Sequence, residues 1–261
     1  MKPQLLSEIK TPVSKPLLDD NFAISQKIDG RRLILKTGLN IHGWARSGNP
    51  TNIPGNVMDA FSKVSPDWIF DGEIVKNTYH VFDLIQYSGT SISFKPWLER
   101  QNILNAVLKD FSPCVKIVPQ FFGPEKLSHY EDCMEIGAEG VVFSHVESRY
   151  HFGLRSKRSL KYKFVKTIDC VVIGKSINDK DNLVLGLYDS NNDLVEVGKV
   201  SSLTGDGKKY SFNINDVVTV KYLYGTKSYR LYQPVSPMLR TDKEPYECLM
   251  NQMILKSDTI L

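Results

Sequence analysis

Short apolar runs separated by turn residues fill the first part of the chain and predict β-strands. The first two runs flank Asp29-Gly30, the dipeptide most typical of a type I′ hairpin turn. We therefore expect a β-hairpin, with Lys27 at the end of its first strand. Two later runs, divided by a short polar link, predict a second strand pair. The strands predicted in this region are Ala23 to Lys27, Leu33 to Lys36, Ile41 to Ala45, Trp68 to Val75, Tyr79 to Ile85, Gly140 to Phe143 and Ser159 to Phe164.

Three segments show the apolar spacing or the boundary residues of helices. Pro96 to Phe111 carries apolar residues at helical spacing, and its proline suits the first turn of a helix. Lys126 to Ile136 ends just before Gly137, a residue typical of helix C-termini. Asn56 to Val64 is the third predicted helix.

The pattern changes beyond Thr167, where closely spaced short strands alternate with Asn, Asp and Gly turns. Such spacing predicts a small β-barrel or sandwich. We place the domain boundary near Lys166 to Asp169, which divides the chain into residues 1–166 and 167–261. The strands predicted in the second domain are Cys170 to Ile173, Leu183 to Tyr188, Leu194 to Val200 and Asp216 to Tyr224.

Composition narrows the class of protein. The chain has 261 residues, of which 41% are hydrophobic, enough for a packed core in one large or two small domains. Its first residues lack the apolar segment of a signal peptide, and no run approaches the roughly 20 residues needed to span a bilayer. We expect a soluble protein of the cytoplasm, or of the host cytoplasm if the source is viral, without a membrane partner.

The cysteines and histidines do not suggest a metal or disulfide scaffold. The 4 cysteines are scattered without C-x-x-C pairs, and the 5 histidines lack metal-ligand spacing. Reduced, mostly buried thiols are expected. No Ser/His/Asp signature of a hydrolase is present either.

The placement of charge is more informative than the net charge of +4. Between Arg149 and Lys166 the chain carries basic residues without an acidic one, and aromatic side chains interleave with them. Such a run is either a solvated surface or a phosphate-binding surface for a nucleic acid backbone. The basic residues of this run are Arg149, Arg155, Lys157, Arg158, Lys161, Lys163 and Lys166. Arg149, Lys157, Arg158 and Lys166 are the candidate contacts to such a backbone.

Lys27, in the sequence Lys-Ile-Asp-Gly-Arg-Arg, is either a solvated lysine of a surface hairpin or a nucleophile. A nucleophilic lysine must lose its proton, which costs about 4 kcal/mol at a pH of about 7.4 for an ordinary side chain. Nearby cations, a metal ion and partial desolvation reduce that cost. The second interpretation therefore predicts cationic groups and carboxylates around Lys27.

Six segments occur in a definite order, and together they resemble the motifs of covalent nucleotidyltransferases, specifically small ATP-dependent DNA ligases. KIDGRR is similar to the nucleotide-accepting K-x-D-G-x-R motif, and LRTDKEP is similar to the R-x-D-K motif of the C-terminal domain. The four segments between them are FDGEIV, YHVFDLI, EGVVF and SLKYKFVKTIDCVVIG. The resemblance implies an α+β fold: a nucleotidyltransferase (adenylation) domain with antiparallel sheets and flanking helices, followed by a small OB-fold β-barrel.

The resemblance also implies a reaction. Lys27 would attack the α-phosphate of ATP to form lysyl-AMP, and AMP would then pass to the 5′-phosphate of a nick in duplex DNA. The neighbouring 3′-hydroxyl would finally displace AMP. Because charge builds on phosphate oxygens throughout, cations and a divalent metal matter more than acids or bases.

The residues that the resemblance assigns to ATP binding are Arg32, Arg46, Glu73, Phe82, Arg155, Lys161 and Lys163. Phe82 would stack on adenine. Lys161 and Lys163 lie two apart on a predicted strand, so that their side chains share a face and would both reach the α-phosphate. Arg155 would contact the nucleotide or the nick.

Metal and pyrophosphate roles also follow from the resemblance. Glu73 and Glu139 are oxygen donors suited to Mg²⁺, or Mn²⁺ in its place. Arg240 and Lys243 would orient the β- and γ-phosphates, although the residues before them are spaced differently from the family pattern. Asp169 would lie at a hinge between the domains. ATP is expected rather than NAD, because the additional domain and the four-cysteine zinc site of NAD-dependent ligases are missing.

Other functions remain open at this point. An RNA ligase or an mRNA capping guanylyltransferase would use the same lysine chemistry. A noncatalytic single-strand binder would use the basic run with aromatic stacking, but it would not need Lys27 together with the two glutamates. We expect a monomer whose partners are ATP and nicked duplex DNA.

Overall fold

The computed structural model describes residues 1–9, 13–64, 67–176, 182–202, 211–257 and 259–261. The chain divides into two compact units. Unit 1 comprises Met1–Tyr162 with Thr259–Leu261, and unit 2 comprises Lys163–Asp258. The boundary between the units lies four residues before the sequence-based boundary at 166/167. The prediction also assigned the last three residues to the second domain, whereas they belong to unit 1.

Unit 1 mixes helices with two sheets. Its helices are α1 (Ser14–Leu18), α2 (Gly55–Ser62), α3 (Trp97–Leu108) and α4 (Glu125–Glu135). Its strands are β1 (Leu5–Glu8), β2 (Phe22–Gln26), β3 (Arg31–Lys36), β4 (His42–Trp44), β5 (Ile69–Val75), β6 (Thr78–Tyr87), β7 (Thr90–Ser91), β8 (Val115–Ile117), β9 (Gly140–His145) and β10 (Arg155–Lys163), of which the last residue falls in unit 2.

The segment that contains Lys27 connects the two sheets of unit 1. A four-stranded sheet has the order β1-β10-β9-β2, and a six-stranded sheet has the order β4-β3-β5-β6-β7, with β8 paired to β6. The predicted hairpin is therefore wrong, because β2 pairs with β9 whereas β3 pairs with β4 and β5. Residues 27–30 carry the chain from one sheet to the other. The predicted pairing of β5 with β6 is confirmed, and it is antiparallel.

Side chains that alternate along β3 pack into separate clusters on the two faces of the six-stranded sheet. Leu33 and Leu35 of β3 pack with Phe61 of α2 and Leu104 of α3 in one core cluster. Ile34, between the two leucines, belongs to a separate cluster on the opposite face. Because side chains alternate along a strand, the face that carries Ile34 also receives Arg32.

Unit 2 is built from one larger sheet and one strand pair. Its strands are β11 (Lys166–Lys175), β12 (Asn182–Tyr188), β13 (Leu194–Ser201), β14 (Val217–Tyr222), β15 (Tyr224–Gly225), β16 (Leu231–Tyr232) and β17 (Val235–Arg240). The larger sheet has the order β13-β12-β11-β14-β17 and antiparallel pairing throughout, and β15 pairs with β16. Its core contains Val171, Leu185, Val197 and Val218.

The predicted strands and helices recur with small shifts of their ends. The structure adds elements that the pattern did not indicate, among them β1, α1 and the short strands β8, β15 and β16. Two 3-10 turns, Pro245–Glu247 and Met250–Gln252, follow the last strand. Among the residues described, no helix combines the length and the apolar composition needed to cross a bilayer.

Candidate active site

A cavity of about 100 Å³ lies within unit 1. Its lining includes Lys27, Arg32, Glu73 and Phe82, four of the residues that the sequence singled out. They come from the end of β2, from β3, from β5 and from β6. The two sheets therefore contribute opposite parts of one lining, which no local pattern in the sequence predicts.

Lys27 is held next to Glu139 by the pairing of β2 with β9. The register pairs Gln26 with Val141, and the Lys27 amide continues it by donating to the Gly140 carbonyl at 2.9 Å. Lys27 Nζ then lies 2.5 Å from Glu139 Oε2. Glu139 is 6% exposed at its side chain and Lys27 is 20% exposed. The amine is therefore paired with a carboxylate inside the site and does not point into bulk water.

Arg32 forms a two-pronged ion pair with Asp71. Its Nε and Nη2 donate to the two carboxylate oxygens at 2.6 and 2.7 Å. Tyr150 donates its hydroxyl proton to Asp71 Oδ2 at 2.6 Å, and the Gln4 amide donates to the Tyr150 oxygen at 2.9 Å. Asp71 is fully buried. Because a buried charge is tolerated only with partners, this network fixes the position of the Arg32 guanidinium.

Phe82 presents its ring to the same guanidinium. The Arg32 carbon Cζ lies 4.5 Å from the centroid of the Phe82 ring, within the range of a cation–π contact. The next residue, Asp83, is buried and accepts two hydrogen bonds from Arg100 at 2.8 and 2.7 Å. Gln101 donates to the Phe82 carbonyl at 2.9 Å. Backbone and ring of Phe82 are thus held by side chains of α3 and β3.

Glu73 lies on the same face of β5 as Asp71, two residues away, and opposite Arg32 in the pairing with β3. Burial raises the pKa of the Glu73 carboxyl to about 7. The positive charges of Arg32 and Lys27 oppose that rise, whereas the negative charge of Asp71 adds to it. At neutral pH the side chain is therefore divided between its neutral and its charged form.

Four further residues predicted to bind ATP lie elsewhere. Arg46 is exposed in the turn after β4. Arg155 is exposed at the start of β10 and donates to the Leu6 carbonyl. Lys161 Nζ lies 3.7 Å from Glu8 Oε2, and Lys163 donates to Gln233 at 3.3 Å. Among the described residues, none of these four belongs to the lining of the cavity in unit 1.

The basic run combines exposed and inward-facing side chains. Arg149, Lys157 and Arg158 are exposed, as a phosphate-binding surface requires. Lys166 is half-buried and donates to the Leu223 carbonyl at 3.0 Å, and burial lowers its pKa. Tyr150 is buried rather than part of a solvated aromatic surface.

The C-terminal motif forms its own charge cluster within unit 2. Lys243 Nζ lies 2.8 Å from Asp169 Oδ2, and Arg240 Nη1 lies 3.4 Å from Asp169 Oδ1. Arg240 also pairs with Asp242 at 2.7 Å. Burial raises the pKa of Asp169, but hydrogen bonds from Lys243 and Thr219 outweigh it and leave the pKa below its usual value. Asp169 lies inside β11.

Glu73, in the lining of the cavity, and Glu139, beside Lys27, are the candidate carboxylates for a metal ion. Glu73 and Glu139 offer oxygen ligands of the kind that Mg²⁺ prefers, although Glu139 is shared with Lys27. Within the described residues, no group of three or more His, Cys, Asp or Glu side chains converges. The residues therefore fit an ion that keeps waters and takes further oxygens from a bound phosphate, not one enclosed by protein ligands alone.

Sequence reasoning missed Asp71, Tyr150 and Gln4, which together position Arg32. Asp71 was visible as an acidic residue within a mostly apolar strand, next to Phe70, a signal of a buried partner. Tyr150 and Gln4 carried no such signal. They meet Asp71 and Arg32 only through contacts between distant parts of the chain.

The sequence is similar to those of known DNA ligases. A family model described as ATP dependent DNA ligase domain matches residues 73–163. DNA ligase 4 of Saccharomyces cerevisiae is 26% identical over 241 residues, which cover 71% of this chain and 26% of that protein. The SPbeta prophage-derived DNA ligase-like protein LigB of Bacillus subtilis is 30% identical over 185 residues, covering 62% of this chain and 66% of the relative.

The fold agrees with these relatives. The solved structure of a Lig E DNA ligase superposes with a TM-score of 0.65 at 18% identity, covering 92% of this chain and 99% of that one. The predicted fold class, α+β with antiparallel sheets and few helices, is confirmed. The chain spans about a quarter of the length of the yeast relative (26%). By its family model and its relatives, the chain belongs to the ATP-dependent DNA ligase family.

Proposed function

We propose that the protein joins nicks in duplex DNA through a covalent lysyl-AMP intermediate on Lys27. Nζ attacks the α-phosphorus of ATP, and the bond to the β-phosphate oxygen breaks to release pyrophosphate. The 5′-phosphate of the nick then takes AMP from Nζ, and the 3′-hydroxyl displaces AMP to form the phosphodiester. The observation that carries this proposal is that Lys27, whose Nζ is paired with Glu139, lines one cavity together with Glu73, Arg32 and Phe82.

Lys27 must give up a proton before it attacks. The 2.5 Å contact with Glu139 occupies Nζ, so the pair has to separate as the nucleotide enters. Arg32, held by Asp71, keeps a permanent positive charge in the cavity that attracts phosphate. A divalent cation at Glu73 and Glu139 would supply further charge against the phosphate oxygens.

The apolar part of the lining suits a nucleobase. Phe82, Trp97, Val118 and Val142 line the cavity together with the charged residues. Aromatic and aliphatic side chains offer stacking and van der Waals surface to a purine, and the charged side chains of the lining attract phosphates. ATP as the substrate agrees with the ATP-dependent family to which the chain belongs.

DNA is favoured over RNA as the joined strand, since the matched family and the relatives are DNA ligases. The exposed side chains of Arg149, Lys157 and Arg158 supply positive charge for a phosphate backbone. Arg46, Arg155, Lys161 and Lys163 keep their proposed roles at the nucleotide or the nick. Arg240 and Lys243 keep theirs at the β- and γ-phosphates.

Mass analysis after incubation with ATP and Mg²⁺ tests this proposal. We expect an AMP-sized increment that maps to Lys27 and disappears in Lys27→Ala. Lys36→Ala is the matched control, because Lys36 on β3 pairs with Asp67 at 3.6 Å and has no proposed part in the reaction. Labelling by GTP alone, or an increment that survives in Lys27→Ala, contradicts the proposal.

A further inference from the structure

Two buried carboxylates lie opposite each other in the lining of the cavity. The register of β5 and β6 pairs Asp71 with Asp83, so that their side chains share a face of the sheet. Asp71 is 0% exposed and Asp83 is 6% exposed, and both belong to the lining. Like charges directly opposite on paired strands repel each other, and burial strengthens the repulsion. These two acids therefore require two cations.

A β-bulge explains how Asp83 comes to lie beside Asp71. The register passes from the pair Asp71–Asp83 to the pair Gly72–Val81, which leaves Phe82 as an extra residue on β6. A bulge redirects the side chains around it, and Phe82 and Asp83 both line the cavity although they are neighbours in sequence. The bulge thus places a second carboxylate next to the one that holds Arg32.

Arg100 of α3 is the partner of this second carboxylate. It binds Asp83 through Nε and Nη2, in the same two-pronged way in which Arg32 binds Asp71. Arg100 is 1% exposed, and its Nη1 donates to two backbone carbonyls at 2.7 and 3.0 Å. It is not among the described residues that line the cavity. Each carboxylate therefore has an arginine of its own, one inside the lining and one behind it.

The charge of Asp83 acts on Asp71 and, through it, on Arg32. Burial raises the pKa of Asp71, and the negative charge of Asp83 adds to that rise, whereas Arg32 opposes it. Without Arg100, Asp83 would be a buried charge that has lost its partner, a strongly unfavourable state. Arg32 is a cation of the same lining. It would then be drawn between two carboxylates instead of being held against one.

We infer that Arg100 is a positioning residue for Arg32: by neutralising Asp83, it leaves Arg32 bound to Asp71 in the position that an incoming nucleotide meets. This inference rests on the proposed function and deepens it, because it makes the geometry of the permanent positive charge in the cavity depend on a residue behind the lining. Arg100 acts through its charge on Asp83 and makes no contact with the substrate.

AMP binding measured by calorimetry tests the inference without requiring chemistry. In Arg100→Gln, AMP should bind about tenfold more weakly, because Arg32 shifts toward the unpaired Asp83 carboxylate. Arg100→Lys keeps the positive charge and should bind AMP within about threefold of the wild-type protein. Arg100→Gln combined with Asp83→Asn removes the unpaired charge and should also restore binding to within about threefold.

Recovery in the double variant separates positioning by charge from a structural role. If Arg100 acted only through packing and its hydrogen bonds, the double variant would bind AMP about tenfold more weakly than the wild-type protein, and that result overturns the inference. This comparison does not depend on whether Arg100→Gln folds by itself. Unchanged AMP binding in a folded Arg100→Gln protein overturns the inference as well.

Arg31→Gln is the matched control. Arg31 lies on β3 next to Arg32 and is exposed, and it donates to Thr51 Oγ1 and the Asn52 carbonyl at 2.6 and 2.7 Å. Because these partners are uncharged, its replacement should leave AMP binding unchanged. The mass increment at Lys27 in the wild-type protein reports on the proposed function separately.

Discussion

The two glutamates expected to serve a cation, Glu73 and Glu139, have different surroundings. Glu139 is paired with the Lys27 ammonium, whereas Glu73 lies in a lining whose burial raises its pKa to about 7. A nucleotide or cation that binds at this site therefore meets Glu139, which is already paired with Lys27, and Glu73, which is partly protonated. Binding of a cation at Glu73 should release a proton near neutral pH.

The raised pKa of Glu73 predicts how stability depends on pH. The folded state binds the proton more tightly than the unfolded chain, where the pKa is near 4.5. This contribution is fully present below about pH 4.5 and is lost as the pH rises through about 7. Its upper limit is on the order of 3 kcal/mol, reduced by solvent at the cavity mouth. We expect the wild-type protein to lose more stability than Glu73→Gln between about pH 5 and about pH 8.

Urea unfolding followed by tryptophan fluorescence measures this difference. Trp44, Trp68 and Trp97 all lie in unit 1, so the signal reports on the unit that contains Glu73. Equal pH dependence of the unfolding free energy in the two proteins would show that the Glu73 carboxyl titrates normally.

At the scale of elements, the segment between β2 and β3 is the feature that most changes the sequence-based description. Asp29-Gly30 was expected to turn a hairpin, but a type I′ turn needs positive φ at both central residues, and neither residue has it. The structure requires glycine at position 30 for a different reason. A Cβ there would lie 2.2 Å from the Ile74 carbonyl oxygen of β5. Close approach of two backbones, not turn geometry, explains this residue.

Gly30→Ala should therefore destabilise unit 1, because the clash is with backbone that cannot move without disturbing the pairing of β3 with β5. We expect a loss of about 1–3 kcal/mol in the free energy of unfolding, together with weaker AMP binding. Gly55→Ala is the control, since a Cβ at the start of α2 meets nothing within 4 Å. It should leave stability unchanged or raise it by up to about 1 kcal/mol. Similar losses in both variants would argue against the close approach.

At the scale of the whole molecule, the distribution of charge matters more than its sum. A net charge of +4 is modest, but Arg149, Lys157 and Arg158 expose their charges within one short stretch of unit 1. Each phosphate that such a residue neutralises releases condensed counterions from DNA, which makes binding dependent on salt.

Affinity for nicked duplex DNA should fall steeply with salt, and Arg149, Lys157 and Arg158 should carry much of that dependence. Replacing all three with Ala should reduce the slope of log affinity against log salt by about 2 to 3. The measurement is fluorescence anisotropy of a labelled nicked duplex over a series of salt concentrations. The matched control replaces Lys15, Lys63 and Lys109, which are exposed and lie outside the basic run. Equal loss of slope in both triple variants would indicate a general effect of net charge.

The alternation of apolar and polar residues and the order of the motifs were sufficient to predict the local features of the structure. The strands around Glu73 and Phe82 and the helix Trp97–Leu108 follow from spacing that each segment carries by itself, and the resemblance of the ordered motifs implied the α+β class. The same holds for the candidate nucleophile, because Lys27 is part of a motif of adjacent residues. These features depend on neighbours in sequence, so reading the chain is enough to find them.

The tertiary structure alone decided what surrounds those residues. Glu139 reaches Lys27 across 112 positions of sequence, and Tyr150 reaches Asp71 across 79. The crossing of residues 27–30 between two sheets depends on the same long-range packing. Which strands pair depends on the burial of whole sheet faces and on backbone hydrogen bonds between distant segments. Neither can be deduced from a short stretch of sequence.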